Sequence, residues 1–496
     1  MNKKRLISSV LSLAIAGTIA VGLSGCGNGN GESDDTLVWY TFGDRPADMD
    51  IVLAKANEII EEKIGMKLDM QFIDSASYQE KMKLKMASGE AYDLAFTGYC
   101  NDYQTAVSMG GLYDITDLID EVGLKDVVPE FYLDAATVDG KIYGIPNVQV
   151  VSQPVCIHLD TNLAEKIGVD MNAIQEAAQN AKSIDDIKAY TALLDDLFEK
   201  VHAEKPDLYT YNPTYNLVWT PMYEYILGNI VIRNDGSSTK LQKMEDTEEW
   251  KLSVQKIHEW YQKGYIRNDI ASSGTATTSN EELRRIAITA GSWKPGQDPY
   301  VKTANGYDPV YALLTKPYMA RTNALATMTS VGANTKHPKE AVEFLKLINS
   351  DKELFNIICW GIEGTHYTKN AEGKVKEIED SGYTNIGKNA WKYGNQFNSL
   401  LMENQEDGVW EETEKMNNEA MKSPLLGFVP NTDSIANELA NINNVNSEYQ
   451  AKKDFGTEDP SAWMDEYLEK LEQAGQQKVL DELQKQYDEF LASKNN

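Results

Sequence analysis

Residues 138–170 read VDGKIYGIPNVQVVSQPVCIHLDTNLAEKIGVD, and this stretch restricts the architecture more than any other. Asp139-Gly140, set between short apolar runs, predicts a type I′ turn, whose two central residues both need positive φ. Gly144-Ile145-Pro146 then holds the chain extended, because a residue preceding proline is pushed out of helical geometry. A mostly apolar run follows over residues 148–159. Asp160, Thr161 and Asn162 can cap a new helix, which Leu163 and Ile167 continue at helical spacing. A turn, a proline elbow, a long extended run and a fresh helix suit a crossing between two lobes. A chain of 496 residues is also too long for one core, so two lobes are expected.

The segments on either side agree. Residues 36–41 are β-rich, and Val52, Ala56, Ile59, Ile60 and Ile64 share one helical face. Leu68, Met70 and Phe72 alternate as in a strand. Ser77-x-x-Glu80 predicts a capping box ahead of Tyr78, Met82 and Met86, and residues 93–97 read as a third strand. Strand alternating with helix predicts a parallel, doubly wound sheet. Later, residues 307–315 read as a strand and 324–333 as the strand returning to the first lobe. Residues 172–202 and 248–264 read as helical, and Pro338 opens another helix. Asp459-Pro460 starts a helix that buries Trp463, Tyr467, Leu468 and Leu471 and stops near Gly475. The last helix carries Val479, Leu483, Tyr487, Phe490 and Leu491.

The amino terminus reads as a targeting segment. Lys3, Lys4 and Arg5 form a positive n-region, and residues 6–21 an apolar h-region. Leu23-Ser24-Gly25-Cys26 resembles the lipobox of bacterial lipoproteins, which implies removal of residues 1–25 and lipidation of Cys26. A plain secretory signal with an incidental cysteine is the alternative. Residues 26–35, ending GNGNGESDD, read as a flexible tether. The YGIP of residues 143–146 with the LDTNLAEKIG of residues 159–168 resembles the extracellular solute-binding proteins of ABC importers, of the family 1-like sugar type. The LLGFVPNTDSIANELANINNVNSEYQ of residues 425–450, followed by Trp463-x-x-x-Tyr467-Leu468-x-Lys470-Leu471-x-x-Ala474-Gly475, resembles a C-terminal domain of unknown function carried by some of these lipoproteins.

The resemblance implies an α/β, two-lobe, type II periplasmic-binding-protein-like fold with doubly wound sheets, a hinge, a central cleft and a helical C-terminal extension. Lobe I would hold residues 36–150 and 325–372. Lobe II would hold 151–324 and 373–496, with 424–496 as the helical segment. It also implies a monomer, lipid-anchored on the extracellular face of a Gram-positive cell membrane, that captures a carbohydrate or oligosaccharide and delivers it to ABC permease subunits. A peptide or another small solute in the same fold, or a surface glycoside hydrolase, are the alternatives.

Composition narrows the partners. With 47 basic against 76 acidic residues and a net charge of -29, binding to nucleic acid or to anionic lipid surfaces is disfavoured. Arginine, the side chain suited to bidentate anion recognition, is confined to positions 5, 45, 233, 267, 284, 285 and 321, which favours a neutral ligand. If Cys26 is lipidated, Cys100, Cys156 and Cys359 remain, and buried free thiols are expected. No zinc-protease, serine-hydrolase, Walker, dinucleotide-binding, CxxC or EF-hand motif is present. Neither an enzyme, nor a cofactor, nor a metal site is therefore expected.

In an open parallel sheet, ligands bind beyond the carboxyl ends of the strands. That rule selects Tyr40, Asp44 and Arg45 after the first strand and Tyr99 after the third, although Asp44 could instead cap the next helix. A sugar offers an apolar C–H face to a ring and a hydroxyl edge to carboxylates and amides. Trp293, in a loop bounded by glycine and proline, is therefore a candidate, as are Trp219 and Tyr223. Trp360, Glu363 and Tyr367 form a Trp-Gly-x-Glu-Gly-x-x-Tyr run whose glycines allow close approach. For Trp293 core packing is the alternative, and for the Trp360–Tyr367 run a structural turn.

Overall fold

The computed structural model describes residues 35–275, 279–383 and 387–494. The signal segment, Cys26 and nearly all of the tether lie outside the described residues. Among the described residues, nine strands make the two main sheets: β1 (Thr36–Phe42), β2 (Lys67–Ile73), β3 (Leu94–Gly98), β4 (Gly144–Pro146), β5 (Val155–Asp160), β6 (Tyr209–Tyr211), β7 (Ile286–Ser292), β8 (Pro309–Leu313) and β9 (Thr327–Val331).

The first sheet has the order β2-β1-β3-β9-β4. Its first three strands are parallel, as the strand–helix alternation predicts, and β9 returns antiparallel between β3 and β4. Leu37 and Trp39 of β1 are buried, and the Trp39 ring meets Phe344 and Tyr393 edge to face at 5.7 and 5.6 Å. Helices Met49–Ile64, Pro338–Ser350 and Lys352–Trp360 cover this core with Val52, Ala56, Ile60, Phe344, Leu345 and Phe355. The turn at residues 138–141 takes the predicted form: Asp139 and Gly140 have φ of 50° and 76°, and Val138 and Lys141 exchange both backbone hydrogen bonds. The capping box at Ser77 does not form. Ser77 has a helical backbone, and its hydroxyl turns back to the Asp74 carbonyl.

The second sheet, β8-β5-β7-β6, departs from a doubly wound parallel layout. Here β5 runs antiparallel to both neighbours, and only β6 and β7 are parallel. Helices Met171–Gln179 and Ile184–Glu204 pack on it, the second opened by a capping box between Ser183 and Asp186. Its centre is aromatic, with Phe198 against Tyr211 and Trp260. The C-terminal helices Ala436–Lys453, Met464–Gln473 and Gln476–Lys494 join this lobe through a third core that contains Val231, Trp250, Trp463, Tyr467 and Val479. Within that core the buried carboxylate of Glu245 accepts hydrogen bonds from Asn229, Tyr467 and Gln476 at 2.5, 3.1 and 2.9 Å. Burial raises its pKa, while the same donors oppose the rise.

Residues 373–402 were expected in the second lobe, but they pack on the first. Val375, Tyr383, Ala390 and Tyr393 belong to the first-lobe core, with Phe397, Leu400 and Met402 beside it. The segment has little periodic patterning, so only its long-range contacts reveal its side. Among the described residues, three crossings join the lobes, at residues 147–154, 314–326 and 403–424. Helix Val409–Glu419 is tied to the first of them by Asn417, whose amide accepts from Val151 N–H and the Ser152 hydroxyl and donates to the Gln149 carbonyl. Cys156 and Cys359 are buried free thiols as expected, whereas Cys100 is only partly covered.

Candidate functional site

On the first lobe, the carboxyl ends of β1 and β3 carry a cluster of rings. Tyr99 is 63% exposed and packs edge-on against Phe42 and Phe96, with Trp391 tilted beside it at 6.1 Å. Gly98 aims the loop. Its φ is 128°, and a Cβ there would lie 2.2 Å from the Ala326 carbonyl oxygen, so only glycine fits. The Tyr99 N–H donates to that same carbonyl, fixing the loop to the crossing that leads into β9. Asn147, on the first crossing, donates to the Trp391 carbonyl and accepts from Gly394 N–H. Lys392 follows Trp391 and lies 3.9 Å above the Phe42 ring.

On the second lobe, β7 ends at Ser292, whose hydroxyl meets the Tyr215 phenol at 3.2 Å. Trp293 comes next, and its N–H donates to the Pro154 carbonyl on the first crossing. Its side chain is part-exposed. The strand ends of both lobes therefore adjoin the crossings, where a hinge would bring ring faces toward a common ligand.

The structure brings Tyr99 and Trp293 to such positions, with Asp44 and Arg45 exposed past the end of β1. Asp44 is not the helix cap; the helix begins at Met49, after Asp48. Arg45 is engaged by Asp50 at 2.5 Å. The remaining candidates are engaged elsewhere in the protein. Tyr40 turns to helix Tyr78–Ser88, with Lys85 over its ring at 4.6 Å. Trp219 and Tyr223 pack on the third core, and the Tyr223 hydroxyl donates to Glu249. Trp360 is 4% exposed in the first-lobe core and donates from its indole nitrogen to Ser399 at 3.0 Å. Tyr367 is buried in the same core, and Glu363 is exposed in an ion pair with Lys369. Long-range packing claimed the rings among these, which a local motif cannot reveal.

A sequence profile of bacterial extracellular solute-binding proteins matches residues 55–358, and one of a C-terminal domain of unknown function matches residues 424–492. A carbohydrate ABC transporter substrate-binding protein of Streptococcus pneumoniae serotype 4 is 30% identical over 494 residues, covering 96% of each chain. The chain belongs to the bacterial extracellular solute-binding family. The lipoprotein LipO of Bacillus subtilis is 20% identical over 417 residues, covering 78% of this chain and 76% of its own. Among solved structures, the N-glycan transport solute-binding protein NgtS of Streptococcus pneumoniae superposes with a TM-score of 0.76 at 27% identity, covering 92% of this chain and 99% of that one. NgtS in complex with Man1GlcNAc or Man5GlcNAc gives 0.66 and 0.63. Within this solute-binding protein, Trp391 and Lys392 are the members of the candidate site that sequence reasoning missed. Their signal, an aromatic and a cation in a short Asn- and Gly-bounded segment, is too common to select them.

Proposed function

We propose that this solute-binding protein captures a carbohydrate or oligosaccharide between its lobes and delivers it, chemically unchanged, to the permease of an ABC importer. The observation that carries the reading is the placement of Tyr99 and Trp391 on one lobe and Trp293 on the other, all next to hydrogen-bonded crossings. Rings suit the C–H faces of sugars. The whole-length relative named as a carbohydrate substrate-binding protein supports the ligand class. Binding must favour the closed state if loading is to be sensed, because equal affinity for both states shifts nothing.

An oligosaccharide library should raise the melting temperature of residues 27–496, and the recovered ligand should have unchanged mass. Release of a reducing end would count against the reading and favour a hydrolase. Trp293→Ala should weaken binding about tenfold, the loss of roughly 1.4 kcal/mol, without lowering the melting temperature of the free protein. Lipid attachment at Cys26 would hold the monomer at the extracellular face of the cell membrane. Cys26→Ala should then release the protein into the medium; retention on the cell would count against the anchor.

A further inference from the structure

Lys392, Lys294 and Arg321 stand apart from the other described cations. Lys392 is 7% exposed, donates to the Phe42 carbonyl at 3.3 Å, and lies over the Phe42 and Trp391 rings at 3.9 and 5.5 Å. Lys294 follows Trp293 at the carboxyl end of β7. Arg321 is 9% exposed and lies on the second crossing. No carboxylate among the described residues comes within 4.0 Å of any of the three side chains. Glu224 and Asp102 act on Arg321 only from farther away. Burial pulls the proton affinity of all three down, for Lys392 to about 8. Lys294 is part-exposed, but Lys392 and Arg321 are buried, and leaving buried cations unpaired costs free energy, in a chain with 76 acidic residues to choose from.

We propose that the ligand is an oligosaccharide bearing an anionic substituent, a carboxylate or a sulfate, which pairs with Lys392 and Lys294 while Arg321 supplies a further positive field. This rests on the carbohydrate reading above and departs from the neutral ligand that scarce arginine favours. The pairing completes charges that the protein leaves open, and it would be strengthened when closure excludes water.

The test uses the full mature chain. A pool of sialylated glycans is split and one half is desialylated; a matched pair of sulfated and unsulfated oligosaccharides forms the second arm. The acidic member of at least one arm should bind at least tenfold more tightly than its neutral counterpart, and the responding arm distinguishes carboxylate from sulfate. Raising salt should weaken only the acidic ligand. Lys392→Met and Lys294→Met should each erase about tenfold of that preference, and Lys392→Met should leave the melting temperature of the free protein equal or higher. Equal binding of acidic and neutral members overturns the inference and leaves the carbohydrate reading intact. Preference unchanged in both variants, with a lower melting temperature for Lys392→Met, makes Lys392 a structural donor and also overturns it. A response to neither arm overturns the inference, and a response to peptides instead overturns the carbohydrate reading beneath it.

Discussion

Trp360→Ala should destabilise the protein by about 3–5 kcal/mol, the usual loss for removing a large buried ring. Trp360 ends helix Lys352–Trp360 inside the first-lobe core, and its indole nitrogen donates to the Ser399 hydroxyl. Truncation would leave a cavity and remove a donor from the segment that packs against this lobe. Denaturant unfolding should show a lower midpoint, while the fraction that remains folded should bind ligand with unchanged affinity. Trp293→Ala should do the reverse. An unaltered unfolding midpoint for Trp360→Ala would contradict its placement as a core residue.

Glu224→Ala should cost about 3 kcal/mol and loosen the hinge. The Glu224 carboxylate is 8% exposed and accepts from the Tyr318 hydroxyl at 2.5 Å, the Ser423 hydroxyl at 2.5 Å and the backbone N–H of Arg321 at 3.2 Å. It thereby ties the second lobe to two crossings, whose short strands Tyr318–Met319 and Met421–Lys422 pair in parallel. Each buried donor left without an acceptor costs about 1–3 kcal/mol, and neighbours sharing one carboxylate do not add fully. Glu224→Gln, which keeps the volume and one good acceptor, should cost less. Amide exchange should quicken at residues 318–321 and 421–423 in Glu224→Ala. Unchanged exchange there would separate Glu224 from the hinge.

Several elements are legible from local chemistry. The Asp139-Gly140 turn needs only two residues that tolerate positive φ, and helix Met49–Ile64 declares itself through its buried stripe. The Ser77 box fails because its backbone is already helical, which no four-residue pattern reports. Trp293 and Trp360 are the sharper case: one residue type, each near glycine, ends part-exposed at a strand end in one place and buried in the other.

By itself, the sequence determined the two-lobe α/β plan, the presence of a crossing within residues 138–170 and the family, because turn residues, hydrophobic periodicity and motifs act over short stretches. Only the tertiary structure decided that residues 373–402 belong to the first lobe, that β5 runs antiparallel, and that Trp391 stands beside Tyr99 with Lys392 over the Phe42 and Trp391 rings. Those outcomes depend on packing between segments far apart in the chain, where burial selects partners that no local pattern specifies.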